Sequence, residues 1–454
     1  MNALKNDHPT LANLQSVLEK EGIEFVRFEF GDMNGISRCK VVPSRHAPEK
    51  SKRGVNIPMI QLAMDTACNL VSGTGYAIEI CWTDGVFFPD LSTFRSVPWL
   101  PNTALVLMEP TFRGKPVPSY PRYVARRQLD RLQELGYSLL SAHEHEFYVI
   151  DAESKKPLHQ GNLRSSLSIF ADTDLMYAFS RSLTGIGVNV EALDTEISPG
   201  QVEITYKPAF GIRAADNAHL YRATIKEVAQ KRGYIASFMS KPWADRSGNS
   251  AHFCHSLWDV AGKKGVMYDP RDELKISEVA RHWIAGILAH APAISLLMAP
   301  TPNCPKRFKP FSFAPTNATW GIENRTCALR LKIQGEAGTY LENRMGASAS
   351  NPYLTLAATV AAGIDGIAKK LPLPARVTGD AYVQADVPPD TQDLPSTLQG
   401  ALEAFEADSV ITEAFGEEFC RAFLAVKRNE MEKDREAQAD GDTDWEYRNY
   451  FEMN

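Results

Sequence analysis

The order of apolar and polar residues predicts a β-hairpin near the beginning of the chain. Two runs in which apolar and polar side chains alternate, IEFVRFEF and ISRCKVV, lie within residues 23–42. They flank Asp32, Asn34 and Gly35, which are residue types that favour a tight turn. Further strand-like runs follow up to about residue 115, so we expect a small α+β domain in this part of the chain.

The pattern changes after a proline-spaced segment, RGKPVPSYPR, which places a domain boundary near residue 116. We therefore predict an N-terminal domain of residues 1–115 and a second domain of residues 116–454. In the second domain a long alternating run, YSLLSAHEHEFYVI, predicts a strand, and shorter strands are expected at 196–206 and 327–333. Apolar residues at helical spacing predict helix in six segments: 9–22, 123–135, 214–232, 275–297, 352–369 and 398–433.

Composition narrows the classes of protein that this chain can represent. Its 454 residues are 44% hydrophobic and 23% charged, which is typical of a globular protein with two or three domains. The 49 Lys and Arg against 55 Asp and Glu give a net charge of −6. No basic surface is therefore expected for a nucleic acid, and we predict no nucleic-acid partner.

Cysteine usage and hydropathy predict a cytoplasmic protein without a membrane partner. The seven cysteines include no Cys-x-x-Cys pair, which favours reduced thiols over a disulfide framework or a zinc site. The first residues lack the apolar run of a signal peptide. The most apolar stretch, residues 283–300, is interrupted by His290 and Pro292 and is too short for a membrane span.

Two pairs of acidic residues are the first candidates for chemistry. Glu144 and Glu146 lie two apart in the predicted long strand, so their side chains leave the same face about 6.6 Å apart along the chain. Glu196 and Glu203 bracket the turn in EISPGQVE. A divalent cation would relieve the repulsion between such acids, although a solvent-facing strand is the alternative for the first pair.

Two further residues extend this candidate set. His252 follows a glycine-containing loop in DRSGNSAHFCHSLWD, and Glu342 lies in YLENRMG beside Arg344. Taken alone, a packed core histidine and a surface ion pair are the simpler interpretations. Together with the two acidic pairs they make five carboxylates and one imidazole, an oxygen-dominated set that suits Mg²⁺ or Mn²⁺.

Arginines supply groups that bind anions. Arg307, Arg325, Arg330 and Arg344 occur in three short segments, CPKRFKP, ENRTCALRLK and YLENRMG. Guanidinium groups suit carboxylate and phosphate oxygens. Because the chain has no Walker-type phosphate loop, metals and arginines together favour phosphoryl transfer on a different scaffold.

Five motifs in this order resemble the glutamine synthetase superfamily over nearly the whole chain: EHEF, EISPGQVE, SGNSAHFCHSLW, NRTCALR and LENRMGASASNPYL. The resemblance implies an α+β protein with a β-grasp-like N-terminal domain. It also implies a C-terminal catalytic domain of curved antiparallel strands wrapped by helices. Members of the superfamily form rings, commonly double hexamers, with each site built between neighbouring subunits.

The resemblance also implies a ligand for each group of site residues. One divalent cation would be held by Glu146, Glu196 and Glu203, and a second, which bridges the phosphates of ATP, by Glu144, His252 and Glu342. The transferring phosphate would contact Arg325 and Arg330, and the nucleotide would contact Ser256 and Arg330. Glutamate would be held by Arg307, Arg344 and the backbone of Gly248. Asp65, in MDTACN, matches an aspartate that reaches the ammonium site of a neighbouring subunit.

Departures from the family pattern bear on the acceptor. Where glutamine-forming members carry a flap glutamate, this chain has Phe313. Other family positions are changed at Ser247, Cys254, Ala337 and Tyr340. The pattern is similar to the branch that joins glutamate to organic amines, and we predict an ATP-dependent glutamate–amine ligase. Ammonia-dependent glutamine synthesis and a non-catalytic assembly role of the lengsin kind are the alternatives.

Overall fold

The computed structural model describes residues 8–453, and its first layer is a seven-stranded sheet. The elements of this part are α1 Leu14–Lys20, β1 Phe25–Gly31, β2 Ser37–Pro43, α2 Ala47–Arg53, β3 Val55–Pro58, β4 Asp84–Pro89, β5 Arg95–Ser96, β6 Thr103–Phe112 and β7 Lys115–Pro116. Strand β1 runs parallel to β6 and antiparallel to β2, which confirms the predicted hairpin. The sheet order is β2-β1-β6-β4-β3, with β5 and β7 paired to β6.

A nine-stranded sheet carries the long strand that the sequence predicted. Its strands are β8 Tyr137–Asp151, β9 Val190–Thr195, β10 Gln201–Tyr206, β11 Ala209–Phe210, β12 Tyr234–Ser237, β13 Ala251–Asp259, β14 Trp320–Ile322, β15 Leu329–Lys332 and β16 Tyr340–Asn343. The order is β14-β15-β16-β13-β8-β10-β9, and β11 and β12 also pair with β8. All of these pairings are antiparallel except that of β14 with β15. The long strand β8 is therefore the centre of the sheet.

Helices pack around this sheet. They are α3 Pro121–Glu134, α4 Ser166–Ile169, α5 Thr173–Gly185, α6 Ile212–Lys231, α7 Glu278–Ala289, α8 Ala291–Met298, α9 Pro352–Lys369, α10 Leu398–Ala407, α11 Ser409–Phe415, α12 Glu417–Ala439 and α13 Trp445–Tyr450. Together with the two sheets they confirm the predicted α+β fold. None of the helices within residues 8–453 combines the length and apolar character that a membrane crossing requires.

Two segments predicted as continuous helix are interrupted. The segment 275–297 forms α7 and α8, which separate at His290, and Pro292 lacks the backbone N–H needed to continue α7. The segment 398–433 divides at Asp408, which caps α11, and again at Gly416, whose φ of +87° is unfavourable for other residues. The helical spacing of apolar residues therefore extends across these breaks, and the helix ends are determined by capping residues and proline instead.

The largest apolar cluster joins both halves of the chain. It includes Phe28 and Phe30 of β1 as well as Trp283 of α7. The predicted division near residue 116 therefore stays a prediction. Helices α7 and α9 cross closely at Gly286 and Gly366, where a Cβ atom on Gly366 would lie 2.1 Å from the carbonyl oxygen of His282.

Candidate active site

One face of β8 carries the two acids that the sequence placed together. Glu144 lies opposite His252 of β13, and Glu146 lies opposite Glu203 of β10. The alternate residues His143 and His145 point to the other side and are buried. The alternation predicted for this strand thus separates a polar face from a buried one.

Three carboxylates form the first group of possible metal ligands. One oxygen each from Glu146, Glu196 and Glu203 lies within 4.8 Å of the others. The turn between β9 and β10 brings Glu196 to this place, and it depends on Gly200, which has a φ of +76°. A Cβ atom there would lie 2.7 Å from the carbonyl oxygen of Val149, so the turn requires glycine.

Two carboxylates and an imidazole form the second group. Ligand atoms of Glu144, His252 and Glu342 also lie within 4.8 Å of one another. The Nδ1 atom of His252 is 3.4 Å from Oε1 of Glu342 and 3.8 Å from Oε2 of Glu144. The structure thus brings together all six predicted ligands in the two predicted groups, and their binding of metal stays a prediction.

The electrostatics of both groups fit divalent cations. Burial and the charge of Glu196 raise the pKa of Glu146 to about 7, and burial with the neighbouring acids raises the pKa of Glu203 well above its usual value. Burial and Arg344 hold the pKa of His252 well below its ordinary range, so its imidazole is neutral and able to bind a metal. Mg²⁺ or Mn²⁺ would relieve the repulsion between these acids and would also accept the neutral imidazole nitrogen as a ligand.

Arginines border the second group through Glu342. The guanidinium of Arg330 donates from Nη1 to Oε2 of Glu342 at 2.8 Å, and from Nη2 to Glu323. Arg344 donates from Nη1 to the other oxygen of Glu342 and from Nη2 to the carbonyl oxygen of Phe313 at 3.0 Å. One carboxylate therefore connects a candidate metal site with two candidate anion-binding arginines.

Arg307 packs against the loop that carries Gly248, and their predicted contact with glutamate stays a prediction. Its Nη2 atom donates to the carbonyl oxygens of Met345 and Gly346, each at 2.9 Å. A Cβ atom on Gly248 would lie 2.7 Å from Cγ of Arg307, so this close contact requires glycine. Burial lowers the pKa of Arg307 to about 10.

Three of the arginines retain an unused donor. The Nε atoms of Arg307, Arg330 and Arg344 are buried and form no hydrogen bond with the part of the chain that the structure describes. A buried N–H without an acceptor is costly, and an anionic ligand would satisfy it. These atoms are consistent with sites for carboxylate or phosphate.

Arg325 and Ser256 belong to neither of the two ligand groups. Arg325 is exposed and lines a cavity of about 510 Å³ together with Glu323 and Arg376. Ser256 is buried on β13, where its Oγ accepts a hydrogen bond from Nε1 of Trp258 at 2.9 Å. Their predicted contacts with phosphate and nucleotide stay predictions.

Asp65 is buried and fully paired within its own chain. Its carboxylate accepts from Nζ of Lys433 at 2.6 Å and from the backbone N–H groups of Ala67 and Asn69 at 3.0 and 2.8 Å. The side chain of Asn69 also donates to it. A role at a neighbouring subunit's site stays a prediction. It would require the Asp65 carboxylate to give up hydrogen bonds within its own chain.

Residues 308–316, here called the flap, contain Phe313. The flap forms neither helix nor strand. Phe311 and Phe313 are 75% and 64% exposed, and both adopt left-handed backbone conformations, with φ of +62° and +58°. The carbonyl oxygen of Phe313 is held by Arg344, so the flap is fixed directly beside the site.

Sequence reasoning missed two residues that contact this site. Glu323, half exposed, is an ion-pair partner of Arg330. Cys254, considered only as a departure from the family, donates from Sγ to Oε1 of Glu144 at 3.3 Å. The position of Glu323 directly before the NRTCALR motif was the only available signal, because its partner lies on a neighbouring strand.

The fold and the arrangement of the site are those of the glutamine synthetase class of proteins. Residues 118–450 match the family described as "Glutamine synthetase, catalytic domain". The chain therefore belongs to the glutamine synthetase family, which confirms the identification made from the five motifs.

Several relatives align with almost the whole chain. Lengsin of Rattus norvegicus is 36% identical, covering 96% of this chain and 78% of its own length. Glutamate–isopropylamine ligase of a Pseudomonas species is 31% identical, covering 98% of both chains. Gamma-glutamylethanolamide synthetase GlnA4 of Streptomyces coelicolor is 34% identical, covering 97% of this chain and 95% of its own.

The fold is similar to that of GmaS solved in complex with ADP. The two structures superpose with a TM-score of 0.83 at 28% identity, covering 96% of this chain and 98% of GmaS. The similarity thus extends over both sheets and the helices around them.

Proposed function

We propose that this protein is an ATP-dependent ligase that joins the γ-carboxylate of glutamate to an amine through γ-glutamyl phosphate. The proposal depends most on one observation: both three-residue ligand groups are complete, while an aromatic residue, Phe313, stands where a glutamine-forming enzyme carries glutamate. The first feature supports ATP chemistry. The second disfavours ammonium as the acceptor.

Glutamate would be held by Arg307, Arg344 and the backbone of Gly248. Its γ-carboxylate oxygen attacks the γ-phosphorus of ATP, the bond to the bridging oxygen breaks, and ADP leaves. Arg330 and Arg325 would stabilise the charge on the transferred phosphoryl group, and Ser256 with Arg330 would contact the nucleotide. Divalent cations bound by the two groups would supply further charge neutralisation.

The amine then completes the reaction. Its nitrogen attacks the activated γ-carbon, a C–N bond forms, the C–O bond to phosphate breaks, and the nitrogen releases a proton. The exposed rings of Phe311 and Phe313 offer apolar contact to a substituent on the amine. About 60 Å² of such contact would contribute about 1.5 kcal/mol, roughly tenfold in selectivity.

The comparisons support both the ligase and one alternative. Two relatives are named for joining glutamate to isopropylamine or ethanolamine, and the GmaS structure was solved with ADP. The similarity to lengsin, with the departures at Ser247, Cys254 and Tyr340, favours instead a non-catalytic assembly role. The complete ligand set supports the ligase, because a scaffold has no need of acids that repel one another.

We further propose that the protein works in the cytoplasm as a ring, a double hexamer in which neighbouring subunits share each site. The support is the ring assembly that the family resemblance implies, together with the seven cysteines, all of which are free thiols in the structure.

The test is an assay of phosphate release with ATP, glutamate and Mg²⁺ or Mn²⁺ over a panel of amines. The panel comprises ammonium, isopropylamine, ethanolamine, benzylamine and putrescine, and mass spectrometry identifies the amide. We expect substituted amines to exceed ammonium. A preference for ammonium would replace the proposal with glutamine synthesis, and no turnover with any acceptor would support the lengsin-like role.

Replacing the flap ring should redirect the acceptor preference. In Phe313→Glu a carboxylate would attract ammonium and remove apolar contact, so we expect the ratio of ammonium to alkylamine turnover to rise by about tenfold. Phe313→Gln is the control, since it removes the ring without adding charge. Equal ratios in the two variants would show that the charge at this position has no effect on the choice.

A further inference from the structure

The flap is held in an unfavourable backbone conformation. Phe311 and Phe313 both have positive φ values, which are unfavourable for residues other than glycine. Their rings are largely exposed and contribute little packing that would offset this cost. Other contacts must therefore fix the flap.

Two side chains hold consecutive carbonyl groups of the flap. Arg344 donates to the carbonyl oxygen of Phe313 at 3.0 Å, and the hydroxyl of Tyr382 donates to that of Ala314 at 2.8 Å. The ring of Tyr382 also packs against Phe311, with 5.4 Å between the ring centres. Arg344 belongs to the proposed glutamate site, whereas Tyr382 lies outside it.

Tyr382 is well placed to fix the flap because its own segment is anchored. Residues 374–394, here called the strap, run past the flap and the loop that carries Glu323 and Arg325. Backbone bonds of 2.9 Å join Val377 to Trp320 and Leu394 to Thr316. Within the strap, the carbonyl oxygens of Gly379 and Ala381 accept from the side chains of Asn324 and Asn317.

We infer that Tyr382 is a positioning residue that keeps the flap closed over the acceptor side of the site and excludes water from γ-glutamyl phosphate. This inference rests on the proposed function. If water attacks the activated carbon, a C–O bond forms, phosphate leaves, and glutamate is regenerated with ATP consumed. Loss of the Tyr382 hydroxyl should therefore separate ATP consumption from amide formation.

The first test measures the flap without using activity. Chymotrypsin cleaves after phenylalanine, so cleavage after Phe311 and Phe313, located by mass spectrometry, reports flap opening. We expect Tyr382→Phe to be cut there at least fivefold faster, and Tyr382→Leu faster still. Tyr234→Phe is the matched control, because it removes a hydroxyl bond to Asp172 outside the site. Unchanged cleavage in both Tyr382 variants overturns the inference.

The second test measures the ratio of amide to phosphate at saturating amine. We expect this ratio to fall at least threefold in Tyr382→Phe and to stay unchanged in Tyr234→Phe. An unchanged ratio in Tyr382→Phe overturns the role in excluding water, whatever the proteolysis shows. If the unmodified protein forms no amide at all, the proposed function fails, and the proteolysis alone decides whether Tyr382 holds the flap.

Discussion

At the scale of single residues, Glu342 connects a candidate metal ligand group with two candidate anion-binding arginines. One of its oxygens accepts from Arg330 and the other from Arg344, and His252 lies 3.4 Å away. A change at this carboxylate would therefore affect a candidate metal ligand and two candidate anion-binding groups together. Glu146 offers a cleaner test, because it lies in the group made only of acids.

We expect Glu146→Gln to weaken Mn²⁺ binding by at least about tenfold, since it replaces a charged ligand by a neutral amide. It should also raise the melting temperature of the metal-free protein, because one of the three mutually repelling carboxylates is removed. Titration calorimetry and thermal unfolding measure these effects. Glu191→Gln, an exposed acid on β9, is the control, and equal Mn²⁺ affinity in both variants would rule out the proposed ligand.

Site residues were predictable where a short motif contained them. All six candidate ligands lie in such motifs, and the structure groups them as predicted. Tyr382 and Lys433 were not predictable, because their partners Ala314 and Asp65 lie 68 and 368 residues away along the chain. Contacts over such separations depend on the fold and leave no local pattern in the sequence.

At the scale of elements, His290 fixes the junction between α7 and α8. Its Nδ1 atom is 2.6 Å from Oδ2 of Asp408, the cap of α11, and its Nε2 atom is 3.1 Å from Oδ2 of Asp365 in α9. Burial lowers the pKa of His290, but the two carboxylates outweigh this effect and raise it. The break between α7 and α8, which the spacing of apolar residues did not predict, is thus stabilised by two ion pairs of His290.

The ion pairs of His290 predict that the free energy of unfolding depends on pH. Because the folded-state pKa is raised, the stabilisation from His290 is complete below about pH 6.5 and is lost as the pH rises through the folded-state value. His290→Gln should therefore lower the free energy of unfolding at pH 6 and have a smaller effect at pH 9. Denaturant unfolding measures both, with exposed His46→Gln as control. An equal loss at both pH values would show that the charge does not contribute.

At the scale of the whole molecule, local patterns predicted elements but not the order of strands. Sheet order depends on pairings such as that of β8 with β13, more than a hundred residues apart. The fold class came from the family resemblance, which contains information about long-range pairing that periodicity lacks.

We expect a ring in solution. A double hexamer of 50.4-kDa chains would have a mass of about 600 kDa. Light scattering coupled to size exclusion should detect it, with activity eluting in the same peak. A fully active monomer would contradict a site shared between subunits, and would agree with Asp65 serving only its internal bond to Lys433.

The central claim is that glutamate is activated by phosphorylation of its γ-carboxylate. The most direct measurement uses glutamate labelled with ¹⁸O in that group, together with ATP, Mg²⁺ and an amine acceptor. Mass spectrometry of the released phosphate should show one ¹⁸O atom for each amide formed, because the attacking oxygen leaves with phosphorus. Phosphate that carries no ¹⁸O while amide accumulates would contradict the account.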